Sequence, residues 1–461
     1  MRGILAATLL IIAFAGCVGN ENTLNEVAEV PETMATARVV VADIDTGINA
    51  YHIAFRDNGP DAYVHPSNYI PGFPADVPAL NLTLDADSYL GAVAADCDVW
   101  NSVEVGQLYW IPGTRIIGAR TTDDYADAAC TEADLPARIL DQGGHGTMTA
   151  GRIAGEEYSM CPTCKIVFLQ GFNAENMVWA AEQGWIDLQT NSWGDLPHSY
   201  AADKLGVSVL GGNDREAILQ AAKLHPIFVA GGNGLGGFFG VTGHPGYFDN
   251  VAGTIGIVMI GGHDNGYYTP WTMTMPHVVA DANRHPSVLR HSIDEGSETV
   301  GGGTSGATPF AAGTFAQAIL QSRIAACDYN TGVRDGNLVW GGPDCILPES
   351  GPLADGFLSV DEAIMTYYHT AKARPVQDGW FDGPACIADD CLGLYTTAPV
   401  AWADVPATVP AYYYVGYGQV GNVTLADHMA VLMGTSDEPL RDTEDIFFGL
   451  DNMVRDSLEI V

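Results

Sequence analysis

Three reactive side chains, each set among small residues, lie far apart along this chain, and they make chemical sense only if the fold returns them to one place. They are Asp45 in Asp45-Thr46-Gly47, His145 in His145-Gly146-Thr147, and Ser305 in Gly303-Thr304-Ser305-Gly306-Ala307-Thr308-Pro309. A serine hydroxyl attacks a carbonyl only when a neighbouring imidazole takes its proton, and that imidazole needs a carboxylate to hold its tautomer and stabilise its charge. The three must therefore converge at the rim of a single sheet.

The rest of the sequence can build such a sheet. Apolar runs at 39–44, 165–169, 186–191, 227–230 and 253–260 alternate with helix-like stretches, as a parallel sheet requires. Residues 174–183 carry Met177, Val178, Ala180 and Ala181 near helical spacing. A long helix is expected over 305–326, with Pro309 in or near its first turn, where a missing amide donor costs little. With 461 residues, 47% of them hydrophobic, the chain can bury one large α/β core or two smaller ones. Its 54 glycines and 25 prolines imply many turns and long loops.

The chain order Asp, His, Ser is that of subtilisin, not of chymotrypsin-like proteases or α/β-hydrolases. Ala307 also breaks the G-x-S-x-G elbow of the last group. Together with their flanks, Val39 to Gly47, Gly144 to Gly151 and Gly303 to Gly313, the motifs resemble those of the subtilisin-like serine proteases, the subtilase family. The likeness spans about residues 38–435. It includes a stretch at 358–364 that resembles the helix after the serine helix, and one at 416–420 that resembles the closing motif. It implies a three-layer α/β fold, with a mostly parallel central sheet flanked by helices, and a serine endopeptidase acting on peptides or proteins.

The resemblance also assigns roles. Ser305 is the nucleophile, His145 the general base and Asp45 its orienting acid. Asp43 competes for the acid's role, being two residues earlier on the same strand face, but it lacks the following Thr-Gly. Asn233 is the oxyanion donor. Ser192, Trp193 and Gly194 line one wall of the specificity pocket, and Ala230, Gly231 and Gly232 the other, an edge on which an extended peptide pairs. Trp193 reads equally as a core aromatic. The eleven other histidines read as surface or packing residues. Met148 and Gly306 replace the family's usual histidine and methionine. Two rival activities stay open: a catalytically silent peptide-binding module, and a transpeptidase on the same fold.

Residues 1–17, with Arg2, an apolar run at 4–15 and Cys17, resemble a lipoprotein signal, too short to span a bilayer. An ordinary secretory signal is the alternative; both place the protein outside the cytoplasm, secreted or lipid-anchored through Cys17. Residues 18–37 read as a flexible tether, and 38–461 as one catalytic domain with insertions at about 58–137 and 375–410. The first insertion, rich in proline and acids, is expected to form ordered surface loops.

Nine cysteines minus Cys17 leave an even set. Proximity suggests Cys97 with Cys130, Cys161 with Cys164, Cys327 with Cys345, and Cys386 with Cys391; connectivity stays open. A zinc or redox role for the 161/164 pair finds no second close pair or thioredoxin-like surroundings. The net charge of −37, from 56 acidic against 19 basic residues, makes nucleic acid an improbable partner and suits a saline habitat or simple solubility. No cofactor is required and a monomer is expected. Structural calcium stays open, with Asp123, Asp124 and Asp127 as the acidic loop that would hold it.

Overall fold

The computed structural model describes residues 37–122, 138–141, 143–157, 159–193, 212–231, 256–264, 267–268, 277–282, 287–288, 291–294, 296–297, 302–326, 333–334, 337–339, 348–354, 357–371 and 420–436. The central sheet contains β1 (Val40–Asp45), β2 (Ile116–Thr121), β3 (Lys165–Gln170), β4 (Leu188–Asn191), β5 (Ile227–Ala230), β6 (Ile257–Asp264), β7 (Tyr267–Tyr268) and β8 (Val278–Asp281). Its order is β2-β3-β1-β4-β5-β6-β7, with β8 also pairing β6. All pairings are parallel except that of β7 with β6.

Strand β1 is buried along its whole length because both of its faces are covered. Val40, Ala42 and Ile44 pack with Met177, Ala180 and Ile218 on one side. Val39 and Val41 pack with Ala150, Ile153, Ala311 and Phe315 on the other. The period-2 alternation of a strand thus sends odd-numbered side chains, Asp43 and Asp45 included, to the second side.

Among the helices, α1 (Tyr89–Ala95), α2 (Cys97–Asn101), α3 (His145–Ala154), α4 (Ala174–Glu182), α5 (Gly212–Ala221), α6 (Thr304–Ala326), α7 (Val360–Thr370) and α8 (Asn422–Leu432) are described. Helices α3 and α6 cover the odd-numbered side of β1, and α4 and α5 the other. Helix α7 begins at a reciprocal cap: Glu362 N donates to Ser359 Oγ at 3.1 Å, and Ser359 N donates to Glu362 Oε2 at 2.9 Å.

A buried ion pair ties the far end of α6 to the sheet. Arg323 donates from Nη1 to Asp187 Oδ2 at 3.0 Å and from Nη2 to Oδ1 at 2.6 Å, with both side chains 1% exposed. Asp187 Oδ2 also accepts from Val40 N at 2.8 Å, so the charge pair anchors the first residue of β1.

Two expectations change here. The stretch at 58–137 is more than surface loops: it supplies β2, an edge strand of the main sheet, and buries Tyr89, Trp100 and Ile111 in the core. Arg120 hides that strand from a hydropathy reading. Its guanidinium is buried because it pairs with Glu175 and Asn176 and lies over the Trp179 ring at 5.1 Å. Pro309 is the sixth residue of α6, inside the helix rather than at its start.

Cys161 and Cys164 form the expected disulfide. Cys97 is also disulfide-bonded; Cys130 and the remaining cysteines lie outside the described residues. So do the signal, the tether up to residue 36, the acidic loop at 123–127, the segment 375–410 and residues 416–419; Ala37, expected at the end of the tether, is buried in the core.

Candidate active site

The carboxyl ends of β1 and β4 and the first turns of α3 and α6 carry the residues singled out above. Asp45 closes β1 and is fully buried. His145 opens α3, and its Nδ1 lies 2.7 Å from Asp45 Oδ1 and 2.9 Å from Oδ2. The imidazole stays about a third exposed, so its far edge faces water. Burial by itself lowers the proton affinity of His145. The charge and hydrogen bond of Asp45, with Asp141 behind it, outweigh that burial and hold the imidazole pKa above its ordinary value.

The two glycine-bearing motifs owe their small residues to close approach. A Cβ on Gly146 would stand 2.3 Å from the Gly47 carbonyl oxygen, and one on Gly47 would stand 2.6 Å from Asp141 Cα. Only glycine at both positions lets the turn after Asp45 meet the helix that begins at His145.

Asp141 organises that meeting, and sequence reasoning missed it. Its Oδ1 accepts from Thr46 Oγ1 at 2.9 Å, Gly143 N at 2.9 Å and Gly144 N at 2.7 Å, and its Oδ2 accepts from Thr147 N at 2.8 Å. A buried carboxylate at the amino end of α3 satisfies amides that the helix cannot, and it meets the positive end of the dipole. The signal was legible: an acid followed by Gln-Gly-Gly just before a helix is an Asx-turn pattern.

Ser305 is the second residue of α6, preceded by Gly303 at φ +74°. Its Oγ donates to the Ser192 carbonyl at 3.0 Å rather than to His145. In return, Ser192 Oγ donates to the Ser305 carbonyl at 3.0 Å. Pro309 explains the second bond. Lacking an amide, it leaves the carbonyl four residues earlier, that of Ser305, without its intrahelical donor, and the Ser192 hydroxyl takes that place.

Of the other expected residues, Ser192 is buried and Trp193 half-buried, its ring 5.6 Å from that of Phe172, which is half-exposed. Gly231 N donates to the Ile260 carbonyl at 2.9 Å, and a Cβ on Gly231 would stand 2.9 Å from the same oxygen. Because β4 and β5 pair in parallel, with Asn191 opposite Val229, Ser192 and Ala230 extend neighbouring strands at this edge. Gly194, Gly232 and Asn233 lie outside the described residues.

Gly306 has a steric reason. A Cβ there would stand 2.5 Å from Nη1 of Arg152, a buried cation on α3. Burial pulls that guanidinium down to about 10, against the pull of Asp281. His225, His277 and His428 are wholly buried, and desolvation brings them down to about 4, 4 and 3, so they pack as neutral rings. Among the described residues no group of three His, Cys, Asp or Glu side chains is placed to hold a metal ion.

The sequence model of the subtilase family, peptidase S8, matches residues 36–325, and the chain belongs to that family. It is a subtilisin-like serine endopeptidase of α/β fold. Solved structures similar to it include a cold adapted subtilisin-like serine proteinase, 16% identical over 63% of this chain and 78% of that one, with a TM-score of 0.35. Another is the epidermin leader peptide processing serine protease of Staphylococcus aureus, 13% identical over 85% and 75%, with a TM-score of 0.42. A third is the prenylagaramide maturation protease PagA, 11% identical over 88% and 100%, with a TM-score of 0.42. No curated protein matches the chain.

Proposed function

We propose that this protease hydrolyses peptide bonds through Asp45, His145 and Ser305, with Asn233 as the oxyanion donor. The observation that carries the reading is the 2.7 Å contact of His145 Nδ1 with the buried Asp45 carboxylate, which leaves the other ring nitrogen for the nucleophile. Ser305 must first release the Ser192 carbonyl by turning about its Cα–Cβ bond. His145 then accepts the hydroxyl proton as Oγ attacks the scissile carbonyl, and returns it to the leaving amine. Water resolves the acyl-enzyme. The peptide pairs along the edge formed by Ser192 to Gly194 and Ala230 to Gly232.

The Ser305–Ser192 bond is also what a silent binding module would rest on. A fluorophosphonate probe separates the readings: labelling of the wild type but not of Ser305→Ala supports turnover, and an unlabelled, well-folded wild type defeats it. Product masses in the presence of an added amine separate hydrolysis from transpeptidation.

The same reading makes the protein exported and held at the outer face of the membrane by a lipid on Cys17, with an acidic surface suited to salt. Sequence supports both, through the small residues before Cys17 and the −37 charge. Fractionation of the full-length protein checks the anchor: Cys17→Ser is expected to leave the membrane fraction, and its retention there would refute the lipid.

A further inference from the structure

Behind the acid and base lies a second buried carboxyl that the mechanism above does not use. Asp43 is fully buried on β1, two residues before Asp45 and on the same face. The Thr149 hydroxyl oxygen stands 2.9 Å from Asp43 Oδ2 and 3.0 Å from the Gly146 carbonyl oxygen. Thr149 thus has one proton and two acceptors within reach. A hydroxyl can donate only once, but it can accept as well. The Gly146 carbonyl brings no proton, so both contacts become hydrogen bonds only when the carboxyl supplies one.

We propose that Asp43 is a proton-bearing, neutral carboxylic acid that donates to Thr149, which in turn donates to the Gly146 carbonyl, so that Asp43 positions the base-bearing turn through Thr149. This rests on His145 and Asp45 being the base and its acid. Asp43 touches no reacting atom; it is a positioning residue, and its neutrality leaves Asp45 and Asp141 as the carboxylate charges that act on His145. Its surroundings favour the proton. Burial raises its pKa well above the usual carboxylate range, Asp45 on the same strand and Asp141 before α3 raise it further, and only a hydrogen bond donated by Thr149 to the charged form would pull the other way. The neighbouring strands set Phe168 and Thr190 opposite it, neither of them charged.

The test reads ionisation directly. Asp43→Asn has no charge, and its amide can donate to Thr149 as the acid does. If Asp43 is neutral, the His145 imidazole titration followed by NMR keeps its midpoint in Asp43→Asn. If Asp43 carries a charge, removing it lowers that midpoint by about one unit, and the proposal fails. Infrared spectroscopy of the wild type gives a second reading that needs no variant to fold: a protonated-acid carbonyl band at neutral pH supports the proposal. Its absence there overturns it. Positioning is read by kinetics, with Thr149→Val expected to lower kcat while KM holds and Thr149→Ser expected to restore most of the loss; a loss seen only in KM contradicts the relay. Neither spectroscopic reading involves Ser305, so failure of fluorophosphonate labelling would sink the proposed chemistry and leave this assignment standing.

Discussion

Strand β1 begins and ends on a buried carboxylate contact, and the two contacts are built for opposite purposes. At its start, Asp187 and Arg323 meet through two hydrogen bonds, with both side chains sealed from water. At its end, Asp45 is just as buried, but its partner His145 keeps about a third of its surface open. Helix α6 joins both ends, carrying Ser305 in its first turn and Arg323 in its last. In the closed pair Arg323 engages both carboxylate oxygens, and a backbone amide shares one of them, so the pair has nowhere to move. The open pair leaves an imidazole edge facing water, near the helix turn where the Ser305 hydroxyl is held by one exchangeable bond. On the proposed mechanism, the pair that serves catalysis is the one the fold does not finish burying.

The sharpest way to break this contrast is to delete a reacting group. Ser305→Ala or His145→Ala is expected to cut kcat by about 10^6, the scale known for subtilisins, while the thermal midpoint stays within a few degrees. Retained turnover in Ser305→Ala would place the nucleophile elsewhere. The other end should behave in reverse. Asp187→Ala leaves Arg323 buried without its carboxylate and is expected to lose about 3–5 kcal/mol of stability, read by denaturant unfolding, with kcat of the folded fraction unchanged. Replacing both partners by apolar residues should recover much of that loss, because the desolvation cost then disappears.

Acidity sharpens the comparison next, through the imidazole at the open end. Asp45, with Asp141, holds His145 above its ordinary value, so kcat/KM should rise with pH through a midpoint above about 6.5. Asp141→Asn removes one of the two supporting charges and should move that midpoint toward lower pH by a fraction of a unit; an upward move would contradict the assigned cause. The stability sign is opposite to that of activity. Protonated His145 is favoured by the fold, so its contribution is fully present below about pH 6.5 and fades as pH climbs through the raised folded value.

How legible was all this in the residues alone? The buried strands were, because runs such as Ile-Val-Phe-Leu leave a parallel strand little alternative, and the motifs pointed to Asp45 and His145, which the fold brings into contact. Strand β2 was not, because Gly118 and Arg120 interrupt its apolar run and the partners of Arg120 lie some fifty residues downstream. Asp141 was missed although three of its four donors, the amides of Gly143, Gly144 and Thr147, are local to it; only the fourth, the Thr46 hydroxyl, is brought by the fold. The exchange between Ser305 and Ser192 was half visible: Pro309 announces an orphaned carbonyl, but only the packing of α6 on the end of β4 names its new donor. Local chemistry reads from sequence; reciprocity between distant segments does not.

The smallest expected effect concerns neither end alone but the field both sit in. Several of the few cations are buried in specific contacts: Arg323 with Asp187, Arg120 with Glu175, Arg38 with Asp61, Lys165 with Asp57, and Arg152 against the serine helix. Cations fixed inside the fold are not free to offset acids on its surface, so self-repulsion should dominate the exterior. Raising salt shortens the Debye length from about 10 Å at 0.1 M to about 3 Å at 1 M, which weakens that repulsion while leaving buried pairs nearly untouched. The unfolding midpoint is therefore expected to climb with salt in the wild type and, by a similar increment, in Asp187→Ala. A midpoint indifferent to salt would leave the charge as a matter of solubility. A climb lost in Asp187→Ala would mean that salt acts through the closed end and not through the surface.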